Sequence, residues 1–173
     1  YLISELGMTE SQLGMVSAFY FIPVAVLAII VGRALDKYSV KNFMMIGAII
    51  YAVGLFSLSF INSYWSLLTI YLTILALGSI MMGNLAVSKL IANWFDKNAG
   101  RALGIAAIGI SFSGVMLPLI VDPLLELVGW RNVYVIFASI VFFIILPLVF
   151  FTVIDDPKAV NQIKDGVKKD DKE

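Results

Sequence analysis

The chain has 173 residues, 12 Lys+Arg against 12 Asp+Glu, and neither cysteine nor histidine; 61% of it is apolar and 14% is charged. Soluble domains carry about 45–50% apolar and about 25% charged residues, so this composition points to a protein immersed in lipid. Zero net charge leaves no basic footprint for nucleic acid, and without Cys or His there is no disulfide, no thiol nucleophile, no Cys-based zinc site and no imidazole base.

Crossing the ~30 Å hydrocarbon core takes about 20 helical residues at ~1.5 Å each. No charge occurs over residues 11–32, 42–88, 102–121 or 132–154. The second run is too long for one span, and Asn62-Ser63-Tyr64 divides it. Five spans are expected, near residues 11–33, 43–61, 65–88, 101–121 and 132–154. The fold class is therefore all-α, a polytopic transmembrane helical bundle over residues 1–154. Residues 155–173, mostly charged and polar, read as a flexible cytoplasmic tail or linker. The chain opens on Tyr1 without a basic n-region or cleavage site, which suggests a fragment or processed product and shows no signal peptide.

Lys and Arg in short loops set orientation. Arg33, Lys37 and Lys41 follow the first span; Lys89, Lys97 and Arg101 follow the third; Lys158, Lys164, Lys168, Lys169 and Lys172 follow the fifth. Only Arg131 lies on the other face, with Glu5, Glu10, Asp122 and Glu126. The basic face is expected in the cytoplasm, with the start of the chain outside and its end inside, in the cell (inner) membrane. Tyr64 and Trp65, Trp94 and Phe95, and Trp130 mark span ends at headgroup depth.

Helices in lipid approach each other through small residues. Gly14, Ala18, Ala25, Ala28 and Gly32 form such a stripe in the first span, Gly47 and Gly54 in the second, and Gly100, Gly104, Ala107, Ser111 and Gly114 in the fourth. The stripes serve packing, or seams along which helices rock. Pro23, Pro118 and Pro147 fall inside spans, and a bend is expected in the outer half of the fourth span, at Pro118.

The first basic loop, Gly32-Arg33-Ala34-Leu35-Asp36-Lys37-Tyr38-Ser39-Val40-Lys41, resembles the loop between the second and third helices of the major facilitator superfamily. Gly32, Asp36, Lys37 and Lys41 match its pattern; Ser39 stands where a glycine is usual and Val40 where a base is usual. The resemblance implies a conformational latch at Asp36. Read without it, the loop only sets topology. Trp94, Phe95, Lys97, Ala102, Gly104, Ala106 and Gly109 resemble the signature before and within the fifth helix of the monocarboxylate-transporter and oxalate/formate-antiporter branches. Arg101 departs from that signature at an apolar position, and Gly129-Trp130-Arg131 is similar to the same group. The resemblance implies helices two to six of a twelve-helix carrier, a partial N-terminal half, with the remainder of the same transporter as its partner.

Polar groups at membrane depth are the default site candidates. Tyr20, Asn84, Lys89 and Ser111 are the substrate-cavity candidates, beside Ser17, Thr73, Ser79, Ser88 and Ser113. Asn84 serves as interhelical glue or as a ligand contact; Lys89 attracts an anion at the inner mouth or snorkels to headgroups. Ser111 and Ser113 are expected to bond back to their own helix. Many superfamily members carry an arginine at the place of Ile74, four residues before Gly78. The expected function is secondary transport of a small mono- or dicarboxylate anion by alternating access, with a co-transported proton or a counter-anion. A sugar, drug or other metabolite carrier, or a membrane scaffold or sensor, is the alternative. No cofactor, metal or enzymatic reaction is expected.

Overall fold

A computed structural model describes residues 5–166; the expected tail residues 167–173 lie outside the described part. Helix α1 is Glu10–Leu35 and α2 is Val40–Leu58. Helix α3 runs over Tyr64–Trp94, and a 54-residue helical run covers Ala99–Thr152. Short 3-10 turns follow at Pro157–Val160 and Lys164–Gly166. No β-strand occurs among the described residues.

Local chemistry explains where the helices start. Thr9 forms a capping box with Gln12: the Gln12 N–H donates to Thr9 Oγ1 at 3.2 Å and the Thr9 N–H to Gln12 Oε1 at 2.9 Å. Two orphan donors of the first turn are thereby satisfied, and Glu10 opposes the positive helix end. Ser39 caps α2 through the Asn42 N–H at 3.2 Å, and Ser63 caps α3 through the Ser66 N–H at 3.3 Å.

A continuous 54-residue helix would be about 80 Å long, far beyond the bilayer core. The run departs from helical geometry at Gly129, whose φ of 75° and ψ of 159° suit glycine. Asn98, just before the run, bonds to Asp165, and Ile154, just after it, bonds to Trp94, whereas Arg131 bonds to Ile61 and Asn62 between α2 and α3. The chain therefore travels from the Asp36 end to the Arg131 end and back. We label the two arms α4 (99–128) and α5 (130–152). The break at Gly129 falls in the expected link between the fourth and fifth spans, while at Pro118, where a bend was expected, and at Pro123 the backbone angles stay helical. Pro147 is accommodated differently. A π-helical turn, Val141–Ile145, directly precedes it and widens the ladder where the missing proline N–H would have bonded. A second π turn, Tyr71–Leu75, interrupts α3.

Helix α2 is the hub, packed against α3 and α5; 39% of its most apolar window is buried, against 11% for α1. The α2–α3 seam is made by glycines. A Cβ on Gly78 would lie 2.7 Å from the Tyr51 backbone nitrogen, and one on Gly47 would lie 2.7 Å from Met81 Cβ. The outward faces are oily: Phe21 is 69% exposed, Ile105 71% and Leu127 80%. Such surface is costly in water and neutral in lipid.

The stripes divide into two kinds. Gly47, Gly54 and Gly78 meet neighbours, while Gly14, Gly100, Gly104, Gly109 and Gly114 have nothing within 4 Å among the described residues. Residues 101–121 contribute nothing to either buried core cluster.

Candidate functional site

The first charged constellation lies at the end of the bundle where α1 meets α2. Helix α1 stops at Leu35, with the Lys37 and Tyr38 N–H groups both donating to the Ala34 carbonyl at 3.0 Å. This tight turn holds Asp36 at the helix end. Across from it, α3 is broken at Gly83 (φ −85°, ψ −153°), and the segment Asn84–Trp94 continues on a new axis. Gly83 is required there, because a Cβ would collide with the Ser79 carbonyl oxygen. The redirected segment delivers Lys89 to Asp36, and its Nζ donates to Asp36 Oδ1 at 2.6 Å. The Lys89 side chain is 35% exposed and that of Asp36 is 68% exposed. Two sequence candidates 53 residues apart thus form one ion pair. Lys89 serves here as the partner of the loop carboxylate.

The other loop residues surround this pair unequally. Lys41 sits in the first turn of α2; its N–H donates to Asp155 Oδ1 at 2.7 Å and its ammonium lies 5.0 Å from the Phe150 ring centroid. Gly32 is in ordinary contact, with its nearest neighbour beyond Cβ being Leu85 at 3.9 Å. Lys37 and Arg101 are exposed. Trp94 Nε1 donates to the Ile154 carbonyl at 2.6 Å, and the Phe95 N–H closes α3 on Ile91 at 2.8 Å. Lys97 joins Asp165 through its backbone N–H at 3.1 Å. Gly104 and Gly109 face open space.

At mid-depth the Tyr20 hydroxyl donates to Ser79 Oγ at 2.6 Å, tying α1 to α3. Tyr20 also meets Tyr71 edge-on, with ring centroids 6.2 Å apart. Tyr51 and Tyr134 pack in the same core cluster, so four helices contribute phenols to one region. Sequence reading found only Tyr20 and Ser79, because the others sit in apolar runs with no distinguishing spacing. Asn84 is exposed at the start of the redirected segment, and Ser111 is exposed on α4 in a groove with Gly104, Ala107 and Phe112. Ser113 bonds back to the Ile110 carbonyl at 2.7 Å, as expected.

The opposite end is fastened by Arg131. Its guanidinium donates to the Ile61 carbonyl and to Asn62 Oδ1, both at 3.2 Å, and it stacks 4.2 Å from the Trp130 ring. Glu5 accepts from both Trp130 Nε1 and the Arg131 guanidinium. Those donors, Trp130 first and Arg131 second, hold the Glu5 carboxyl below its ordinary range. A lowered folded-state pKa contributes stability above the ordinary value of 4.5, and that contribution disappears as pH falls through the lowered one. Thermal melts of the full-length protein should therefore lose part of their acid dependence in Glu5→Gln. An unchanged pH profile below that value would remove Glu5 from the clamp.

Together these features define a helical membrane bundle with a glycine-seamed core, a partly exposed ion pair at one end and an arginine clamp at the other. A sequence model of the Major Facilitator Superfamily matches residues 1–170, and the chain belongs to that family. It is an integral membrane protein. It is 27% identical over 140 residues to "MFS-type transporter 1" of Ophiocordyceps sp. (strain BCC 1869), covering 81% of this chain and 31% of that protein. It is 31% identical over 101 residues to the "Fujikurins efflux protein" of Gibberella fujikuroi, covering 58% and 22% respectively. It is 26% identical over 112 residues to the "Riboflavin transporter MCH5" of Saccharomyces cerevisiae, covering 63% and 21%. The chain thus spans less than a third of the length of these relatives.

Proposed function

We propose that the chain forms part of a secondary transporter that moves a small solute by alternating access, with Asp36–Lys89 as a latch at the cytoplasmic end. The observation that carries this reading is the 2.6 Å ion pair between the α1–α2 loop and the redirected end of α3. A contact useful as a latch must hold in one state and be surrendered cheaply in the other. Partly exposed pairs meet that condition, being worth about 0–1 kcal/mol. The sidedness follows from charge. Arg33, Lys37, Lys41, Lys89, Lys97, Arg101, Lys158 and Lys164 gather at the latch end, against Arg131 at the other. That asymmetry supports the latch end lying at the cytoplasmic face, in the cell (inner) membrane. The chain is a carrier segment and not an enzyme.

The solute we favour is a mono- or dicarboxylate, on the loop resemblance that includes Trp94, Phe95, Lys97 and Gly104, with a proton or a second anion as the coupled species. Tyr20, Asn84 and Ser111 are its cavity contacts in this reading, and Lys89 meets it only when released by Asp36. The similarity to a fujikurins efflux protein and to a riboflavin transporter favours a second reading, a larger organic metabolite such as a flavin. Full-length protein in proteoliposomes, offered a panel of mono- and dicarboxylates beside riboflavin, separates the two. We expect uptake or exchange of at least one carboxylate. Riboflavin flux without carboxylate flux would replace the anion reading, and no flux of any solute tested would count against transport itself.

A further inference from the structure

The segment after α5 was expected as a loose tail, yet residues 154–165 are fastened to the bundle at both ends. The Ile154 carbonyl accepts from Trp94 Nε1 at 2.6 Å, and the Asp155 carbonyl accepts from Asn93 Nδ2 at 3.0 Å. The Asp155 carboxylate takes the Lys41 N–H in the first turn of α2. Asn161 (φ 57°) and Asp165 (φ 64°) then turn the chain back. Lys164 Nζ donates to the Ala92 carbonyl at 2.9 Å, in the last turn of α3, where a cation suits the negative helix end. Asp165 receives the N–H groups of Asp96, Lys97 and Asn98 at 3.3, 3.1 and 3.1 Å, and the Asn98 amide at 3.3 Å. One short stretch therefore touches the ends of α2, α3 and α4.

Among the described residues, much of α4 is left without packing partners. Its glycines face open space, and Leu103, Ile105, Ile108, Ile110 and Phe112 are exposed. Its own N-cap, Asn98, makes no side-chain capping bond. Among the described residues it is held at the Gly129 turn beside Arg131 and, just ahead of its first turn, by Asp165. The Asp165 carboxyl is held below its ordinary range, first by the Lys97 N–H and then by those of Asn98 and Asp96. A carboxylate receiving several backbone donors at a positive helix end makes a charge-assisted contact.

We infer that residues 154–165 are a brace that sets where the first turn of α4 stands relative to α2 and α3, with Asp165 as its releasable fastening. While Asp165 holds the three donors, α4 follows α2 and α3 as one body at this end. When Asp165 lets go, the first turn of α4 moves independently, without disturbing Asp36–Lys89.

The test is structural and independent of any solute. In the full-length protein freed of other cysteines, spin labels at Tyr38→Cys and Leu103→Cys report the spacing of the α1–α2 loop and α4. Asp165→Ala should broaden that distance distribution and raise amide exchange of residues 96–98 at least tenfold. Adding Asn98→Asp caps the Gly100 and Arg101 N–H groups, which Asp165 does not hold, so it should leave both the amide exchange of residues 96–98 and the distances as they are in Asp165→Ala. Inserting two glycines after Val160 slackens the brace without removing a side chain and should broaden the distances likewise. A distance distribution unchanged in both Asp165→Ala and the insertion would overturn the brace and reduce Asp165 to a local cap.

Discussion

Gly78→Leu should destabilise the bundle by about 2 kcal/mol or more, the range for overpacking a filled interior. The atoms that a Cβ would meet are the Tyr51 nitrogen and Cα, at 2.7 and 2.8 Å. Backbone cannot rotate away as a side-chain tip can, so α2 and α3 must separate. Separation also loosens Gly47, which faces Met81 and Met82 from the other helix. Gly54 is more forgiving, since its neighbours are the flexible ends of Leu75 and Ile74. Gly54→Leu is the graded comparison, expected to cost less than Gly78→Leu because side-chain tips can shift where backbone cannot. Thermal melts of the full-length protein in detergent should show a large loss for Gly78→Leu. Equal melting of Gly78→Leu and the parent would show that α2 and α3 do not meet as described.

The second large effect is expected in flux. Asp36→Asn and Lys89→Met should each change the transport rate about fivefold, the population shift that corresponds to the ~1 kcal/mol upper value of an exposed ion pair. Melting should hardly change, since both side chains are partly in solvent. The exchanged pair, Asp36→Lys with Lys89→Asp, should recover most of the flux. Recovery is expected because the contact needs opposite charges across the loop and not a particular residue on either side. If the exchanged pair is as slow as the single variants, the working partner of Asp36 is another group.

Much of the architecture can be read along the chain. The caps at Ser39 and Ser63 sit three residues before the donors they satisfy, and the Thr9–Gln12 box is equally local. The polar break at Asn62-Ser63 ends one apolar run and starts another. By contrast, Pro118 keeps helical backbone angles, and the chain reverses at Gly129, between the two expected spans. Proline disrupts by its own covalent structure, and a long apolar helix in lipid can absorb that; a left-handed φ at glycine cannot continue a helix. The brace was overlooked for a different reason. Asp165 and its donors are 67–69 residues apart, and an Asp-Gly pair in a charged tail looks like any solvated turn. The usable signal was on the other side: Asn98-Ala99-Gly100 opens a helix without an acidic residue in its first turn.

Taken alone, the order of residues determined that this is a helical membrane protein with its bases gathered at one end. Hydropathy and charge act on each residue against the bilayer, whatever its neighbours in space. Tertiary structure decided that Lys89 answers Asp36, that Gly47 and Gly78 close a seam while Gly104 meets nothing among the described residues, and that Asp165 takes the N–H groups of Asp96, Lys97 and Asn98. Those outcomes depend on how each helix is rotated and redirected, at Gly83 and Gly129 above all. A shift of one residue around a helix turns a side chain by about 100° and exchanges one partner for another.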